Sequence, residues 1–259
     1  MIDIAFSYAQ LEYFLLILVR ITCFIYISPF FGMTNTPNRV KIALGLFIAL
    51  FISRYIPHTE VTYNTLTGYT AIIMKEAVTG FLIGFGANLS MSIVAFAGRI
   101  IDMETGMMMA SVMDPSTREQ TSISGVFYNY AVLLMLLISG MYQFLVSALI
   151  ETFTLIPING AVFRMDALLT SMLIFLHDYI MIGFRISLPI FVVITLLNAI
   201  LGILAKVSPQ MNMFAVGMQL KVLTGFSVIF VTIGMLPLAS AFIFDEMKRV
   251  VTVMVRVMM

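Results

Sequence analysis

The sequence predicts an all-α polytopic membrane protein, built of helical hairpins whose helices are kinked and broken in places. Three observations carry that prediction. Of 259 residues, 61% are hydrophobic and 10% charged, against about 45–50% and about 25% in ordinary globular chains. Mean hydropathy is +1.06. The apolar residues gather in runs near the roughly 20 residues that a helix needs to cross a bilayer. Within lipid each backbone polar group must be satisfied inside its own segment, which selects helices.

The first run, Leu11 to Ser28, contains Arg20 and is ended by Pro29, Gly32 and Pro37. No Lys or Arg precedes Arg20, so a cleavable leader is not expected and the run belongs to the mature fold. Arg39 and Lys41 open a short second run, Ile42 to Ser53. That length suits a re-entrant or protein-covered helix better than a span. The third run, Tyr69 to about Ala97, holds Lys75 and Glu76 and then Gly80 and Gly84. Gly80 and Gly84 lie four apart, on one helical face, where another backbone can approach closely. Gly84→Leu is therefore expected to block packing, with Leu82→Ala as the tolerated control.

Between this run and the next lies Met103 to Ser124, METGMMMASVMDPSTREQTSIS. Met107, Met108, Met109 and Met113 lead into Asp114 and Pro115, and Gly106 permits a sharp bend just upstream. Methionine is unbranched and polarizable, so such a cluster forms a soft apolar surface that re-packs easily. These residues alone fit either a plug in a pore or a solvated connector.

Gly125 to Ile150 is the longest run free of charge, and Arg164 with Asp166 marks a break between halves, 1–165 and 166–259. A helix from about Ala167 to Leu204 is too long for one straight span and is expected to kink at Pro189. A polar motif from Lys206 to Phe214 follows, then a run from about Ala215 to Phe244. The tail from Asp245 is expected to continue as a helix leaving the apolar zone. Six spans would place five Lys/Arg on one side and six on the other, so charge does not orient the chain.

Arg20, Lys75, Glu76, Asp178, Arg185 and Asn198 are polar side chains within apolar runs. A charge at a helix centre costs about 2.5–3.5 kcal/mol on insertion scales, so these residues are expected to pair between helices or subunits. A proton relay is the functional alternative. Lys75 and Glu76 are adjacent, point apart, and need separate partners. Asp178 and Arg185 are two turns apart, about 10 Å, too far for a direct bridge.

Other function classes lack their residues. A net charge of +1 builds no basic face for nucleic acid. The single Cys23 offers no disulfide or metal cluster, and His58 and His177 have no zinc-site spacing. The glycines from Gly80 to Gly86 have no phosphate-binding lysine beside them, and no nucleophile elbow is present. No cofactor is expected. A secondary transporter for a small solute, with its site near Pro189 and Pro209, is the alternative function, though no inverted repeat is visible.

The chain resembles the FliR family of flagellar and related type III secretion systems. The resemblance rests on Arg20 with Ser28-Pro29-Phe30-Phe31-Gly32 and Pro37, and on Glu76-Ala-Val-Thr-Gly80 with Gly84. It rests also on Gly98 through Asp102 to Gly106 with Met113-Asp114-Pro115, and on Asn198 to Lys221. In that last stretch Pro209, Gln210, Met211 and Asn212 are the most specific residues, flanked by Lys206, Phe214 and Lys221. Lys206 stands where arginine is expected, which keeps the charge but loses a bidentate donor. The resemblance implies one subunit of a helical hetero-oligomeric export gate, with no catalysis of its own. Its implied partners are FliP- and FliQ-like membrane subunits, FlhB- and FlhA-like components, exported unfolded polypeptides and membrane lipid. It implies a FliP-like first half, a FliQ-like second half, and a plug formed by Gly106 to Pro115. The implied location is the bacterial inner membrane, at a flagellar basal body or injectisome base.

Overall fold

The computed structural model describes residues 8–33, 36–56, 63, 65–110, 112–113, 120–208, 210 and 212–259. Eight α-helices are found among them: α1 (Tyr8–Ile27), α2 (Asn38–Tyr55), α3 (Leu66–Thr105), α4 (Ile123–Ile138), α5 (Met141–Leu155), α6 (Met165–Val207), α7 (Met213–Thr232) and α8 (Leu236–Val257). Short 3-10 turns occupy Met107–Ala110 and Ile233–Met235. Two-residue strands β1 (Val112–Met113) and β2 (Gln120–Thr121) pair antiparallel, Val112 opposite Thr121. The fold is all-α and polytopic.

Four stretches are long and apolar enough to cross a membrane: Gln10–Ile27, Leu66–Thr105, Met165–Val207 and Phe214–Val257. The pair α4 and α5, bent by 69°, raises the possible number to five. The second run forms an 18-residue helix but is not among the spans, because Arg39, Lys41 and Arg54 place three charges within its 18 residues. The run from Gly125 to Ile150 is not one straight helix either. Gly140 has φ +77°, a left-handed conformation that a continuing helix cannot hold.

The chain divides into two compact units. The first comprises 1–89, 140–175 and 246–259; the second comprises 90–139 and 176–245. Each draws on residues from both sides of position 165.

In the first unit, α1 ends where its sequence requires. A Cβ on Gly32 would stand 2.6 Å from the Tyr26 carbonyl oxygen, so the turn after Pro29 admits only glycine. Lys41 Nζ donates to the Gly32 carbonyl at 3.0 Å and caps this end. Near the other end, Tyr63 donates to Glu12 Oε1 at 2.6 Å. That bond holds the phenol in its neutral form and pushes its pKa up to about 12. Because the folded pKa lies above the unfolded value, this tie is complete below about pH 10 and is lost as pH rises through about 12.

The tail continues as helix α8 to Val257, and Met247, Val250, Val251, Met254, Val255 and Met258 are all buried. Their spacing of three and four residues makes one apolar stripe. Met254 and Val250 lie against Gly86 of α3, and Lys248 leaves the stripe to stand over the Phe144 ring at 5.6 Å.

In the second unit, Pro189 sits inside α6 without ending it. Gly183 of α6 meets the Phe96 ring of α3. Pro237 falls in the first turn of α8, where a missing N–H removes no intrahelical bond.

Candidate functional site

Two polar features inside the apolar fold stand out, one in each unit. In the first, Arg20 of α1 and Glu76 of α3 are fully buried, with Arg20 Nε 2.6 Å from Glu76 Oε2. Arg20 Nη1 also donates to the carbonyls of Thr152 (3.2 Å) and Ile156 (3.0 Å) at the end of α5, where the Thr152 carbonyl also accepts from the Ile156 N–H. The guanidinium lies 4.4 Å from the centre of the Phe153 ring. Glu76 Oε1 accepts from the backbone N–H of Asn159 at 2.9 Å. Asn159 has φ +66°, and its side-chain oxygen accepts from Lys75 Nζ at 3.4 Å. One asparagine thus serves both adjacent charges. Its conformation has a local cause, since a Pro-Ile-Asn-Gly turn is where a left-handed asparagine is expected.

Gly80 and Glu76 are one turn apart on α3. A Cβ on Gly80 would overlap the carbonyl oxygen of Arg20, and one on Gly84 would lie 2.9 Å from that of Phe24. The two glycines let α3 touch the α1 backbone, which is how a carboxylate as short as Glu76 reaches Arg20. Gly84→Leu is expected to abolish this packing, at a cost above the usual 1–3 kcal/mol of overpacking, because its neighbour is backbone. Leu82 does not serve as the mild control, since it is buried at 9% exposure and its truncation leaves a cavity. Val78→Ala, on the exposed face, takes that place. Comparable recovery of the Gly84→Leu and Val78→Ala proteins from membranes would remove the role of close approach.

The second feature gathers two sequence stretches that lie about 100 residues apart. Gly106 ends α3 in the left-handed region, φ +81°, with open space where a Cβ would stand. The 3-10 turn then buries Met107 (4% exposed) and leaves Met108 and Met109 outside (55% and 76%). Together with Met103 they line a hollow of about 410 Å³, whose other wall carries Asn198 of α6 and Phe214, Met218 and Lys221 of α7. Asn198 and Lys221 are its polar groups, set among methionine, leucine and phenylalanine. Asn212 caps α7, its Oδ1 accepting from the Ala215 N–H at 3.4 Å. Lys206 falls in the last turn of α6, where a cation faces the negative end of the helix dipole. Gln210 is exposed between the two helices. The Met113 backbone belongs to β1, while Asp114, Pro115 and Pro209 lie outside the described residues.

The remaining intramembrane charges are placed separately. Asp178 stands 3.1 Å from His177 Nδ1, and the Arg185 guanidinium lies over Phe242 at 4.3 Å. Arg185 also borders a small cavity of about 100 Å³ with Pro189, Tyr128, Thr232 and Leu236. Among the described residues no group of three His, Cys, Asp or Glu could hold a metal ion.

The fold and site define a polytopic helical membrane protein that carries a methionine turn against a lysine-bearing hollow. The family described as bacterial export proteins, family 1, matches residues 11–247, and the chain belongs to it. Among similar proteins, the flagellar biosynthetic protein FliR of Bacillus subtilis is 29% identical over 229 residues, 86% of each chain. That of Aquifex aeolicus is 25% identical over 232 residues, 89% of each chain. FliR of Escherichia coli is 26% identical over 230 residues, covering 87% of this chain and 84% of its own.

Proposed function

We propose that this chain is the channel-forming subunit of a flagellar protein-export gate, passing unfolded polypeptides across the inner membrane at the basal body. The observation that carries the reading is the seating of the methionine turn against the Asn198–Lys221 stretch. A gate must exclude water and ions at rest and yield to a passing chain. Apolar methionine surface does the first by dewetting, and its free rotamers do the second at small cost. Gly106 to Pro115 form the plug, and Lys206 to Lys221 carry its seat. The subunit works with FliP- and FliQ-like partners and with FlhB- and FlhA-like components. Its first 165 residues correspond to the FliP-like part and the rest to the FliQ-like part. It has no catalytic role; energy is supplied by other components. The cavity beside Pro189 is well below the 300–1,000 Å³ of ordinary small-molecule sites while the hollow at Asn198 and Lys221 is not, so the family match rather than cavity size favours the gate over a solute transporter.

Shortening the segment from Gly106 to Pro115 is expected to leave the complex assembled and raise ion conductance at least several-fold. Met108→Asp with Met109→Asp should leak likewise, whereas leucine at both should seal but slow export. Met107 is spared because it is buried, and a charge there would disturb folding instead. Unchanged conductance across bilayers holding the intact, loop-shortened complex would overturn the plug.

A further inference from the structure

The geometry points to Asp102 as a latch that fixes the end of α3 to the start of α4, and so as the positioning residue for the methionine turn between them. The functional half of this inference rests on the plug reading above; the latch itself does not.

Asp102 sits three residues before the end of α3 and is 2% exposed. Its Oδ2 accepts from the Ser122 hydroxyl at 2.6 Å, and the Ser124 N–H points between its two oxygens, at 3.2 and 3.3 Å. The Ser122 oxygen in turn accepts from the Gly125 N–H at 2.9 Å. The first turn of α4 thus has its orphan N–H groups taken up by a carboxylate from another helix and by a serine that the same carboxylate orients. The charge is also placed where the helix dipole favours it. Ser122 and Ser124 donate to the Asp102 carboxylate from one side, across a sequence gap of 20 to 22 residues.

One turn earlier on the same face of α3 is Gly98. A Cβ there would overlap the Cα and N of Gly125, so α3 and α4 meet backbone against backbone at the residue next to the latch. Two independent contacts therefore close the base: steric fit at Gly98 and Gly125, and hydrogen bonding at Asp102. Thr105, the last residue of α3, is buried against Gly225 of α7, which holds the departure point from the other side. Gly106 then opens the turn with nothing within 4 Å of its Cβ position. The end of α3 and the start of α4 form a fixed base, and the Cβ position of Gly106, the first residue beyond α3, is open. A base of this kind lets the methionine turn be displaced by a passing chain without parting the helices, and returns it to the same seat.

The test uses the complete chain assembled with its partner subunits, in a Cys23→Ser background, with spin labels on cysteines placed at Met103 and Ile123. Both positions are exposed and flank the latch. The unaltered latch is expected to give one narrow distance. Asp102→Ala should broaden it by roughly one helical turn, about 5 Å, and raise ion conductance several-fold. Asp102→Asn keeps an oxygen for the Ser124 N–H and should stay narrow with little leak. Asp102→Leu fills similar space without an acceptor and should broaden the distance as alanine does, whereas a residue acting only through bulk packing would keep it narrow. Should Asp102→Ala fail to assemble, Ser122→Ala removes one hydroxyl only and is expected to broaden the distance in an intact complex. A distance unchanged in the assembled variants overturns the latch, whatever the conductance. A broadened distance with unchanged conductance upholds the latch and overturns the plug reading on which its function rests.

Discussion

Replacing Arg20 with alanine is expected to destabilise the protein by about 3–5 kcal/mol, because it leaves the Glu76 carboxylate buried without its cation. A domain has only about 5–15 kcal/mol in total, so little folded protein should remain. Glu76→Ala should do as much, stranding a guanidinium whose Nη2 already lacks an acceptor among the described residues. Arg20→Lys keeps the charge but is a single point donor. It cannot reach Glu76, Thr152 and Ile156 together, so it should rescue only in part. The combination Arg20→Leu with Glu76→Leu should recover more than either alanine, since replacing a buried pair by apolar groups is often neutral. The measurement is the thermal midpoint and membrane yield of the co-expressed complex. A wild-type midpoint for Arg20→Ala would show that the pair is incidental to α1–α3 packing.

The second large effect contrasts two glycines that look alike in the sequence. Gly80→Ala adds one methyl group, yet that carbon would overlap the Arg20 carbonyl, and backbone cannot swing aside as a side chain does. A loss at or above the usual 1–3 kcal/mol of overpacking is expected. Gly202→Ala adds the same carbon to α6 with nothing within 4 Å. It should stabilise by about 0.5–1 kcal/mol, through helix propensity and a less free unfolded chain. Thermal midpoints moving in the same direction for both would mean that the close approach of α3 to α1 does not govern stability.

How much of this was legible in the sequence depends on distance along the chain. Helix ends marked by local chemistry could be read: Pro29 with Gly32 after α1, Pro37 before α2, and the Asn212 cap of α7. Gly140 could not, because one glycine in an apolar run is also tolerated inside membrane helices, and only its backbone angle reveals the break. The helical tail was legible, but its packing was not, because Lys248, Arg249 and Arg256 interrupt the apolar residues. The valine and methionine between them at helical spacing form the buried stripe of α8. That Arg20 and Glu76 need partners follows from their setting. That Asn159 serves both Glu76 and Lys75 is a tertiary fact with no local signature. The same holds for Asp102 and Ser122, and for the meeting of the methionine turn with Asn198 and Lys221. The two compact units join segments far apart in sequence, and periodicity carries no record of such pairing.

The Arg20 cluster also sets a schedule for synthesis. Its acceptors on Thr152 and Ile156 lie 132 and 136 residues further on. At about 5–20 residues per second, a ribosome needs roughly 7–27 s to make that stretch once Arg20 has emerged. For this interval α1 is an apolar segment with an uncompensated cation, and Glu76 arrives partway through to neutralise it only in part. The nascent chain therefore passes through a period in which its first helix carries the whole cost of that charge, about 2.5–3.5 kcal/mol on insertion scales. Slowing translation between residues 76 and 156 should lower the yield of this protein more than the same delay placed after residue 160.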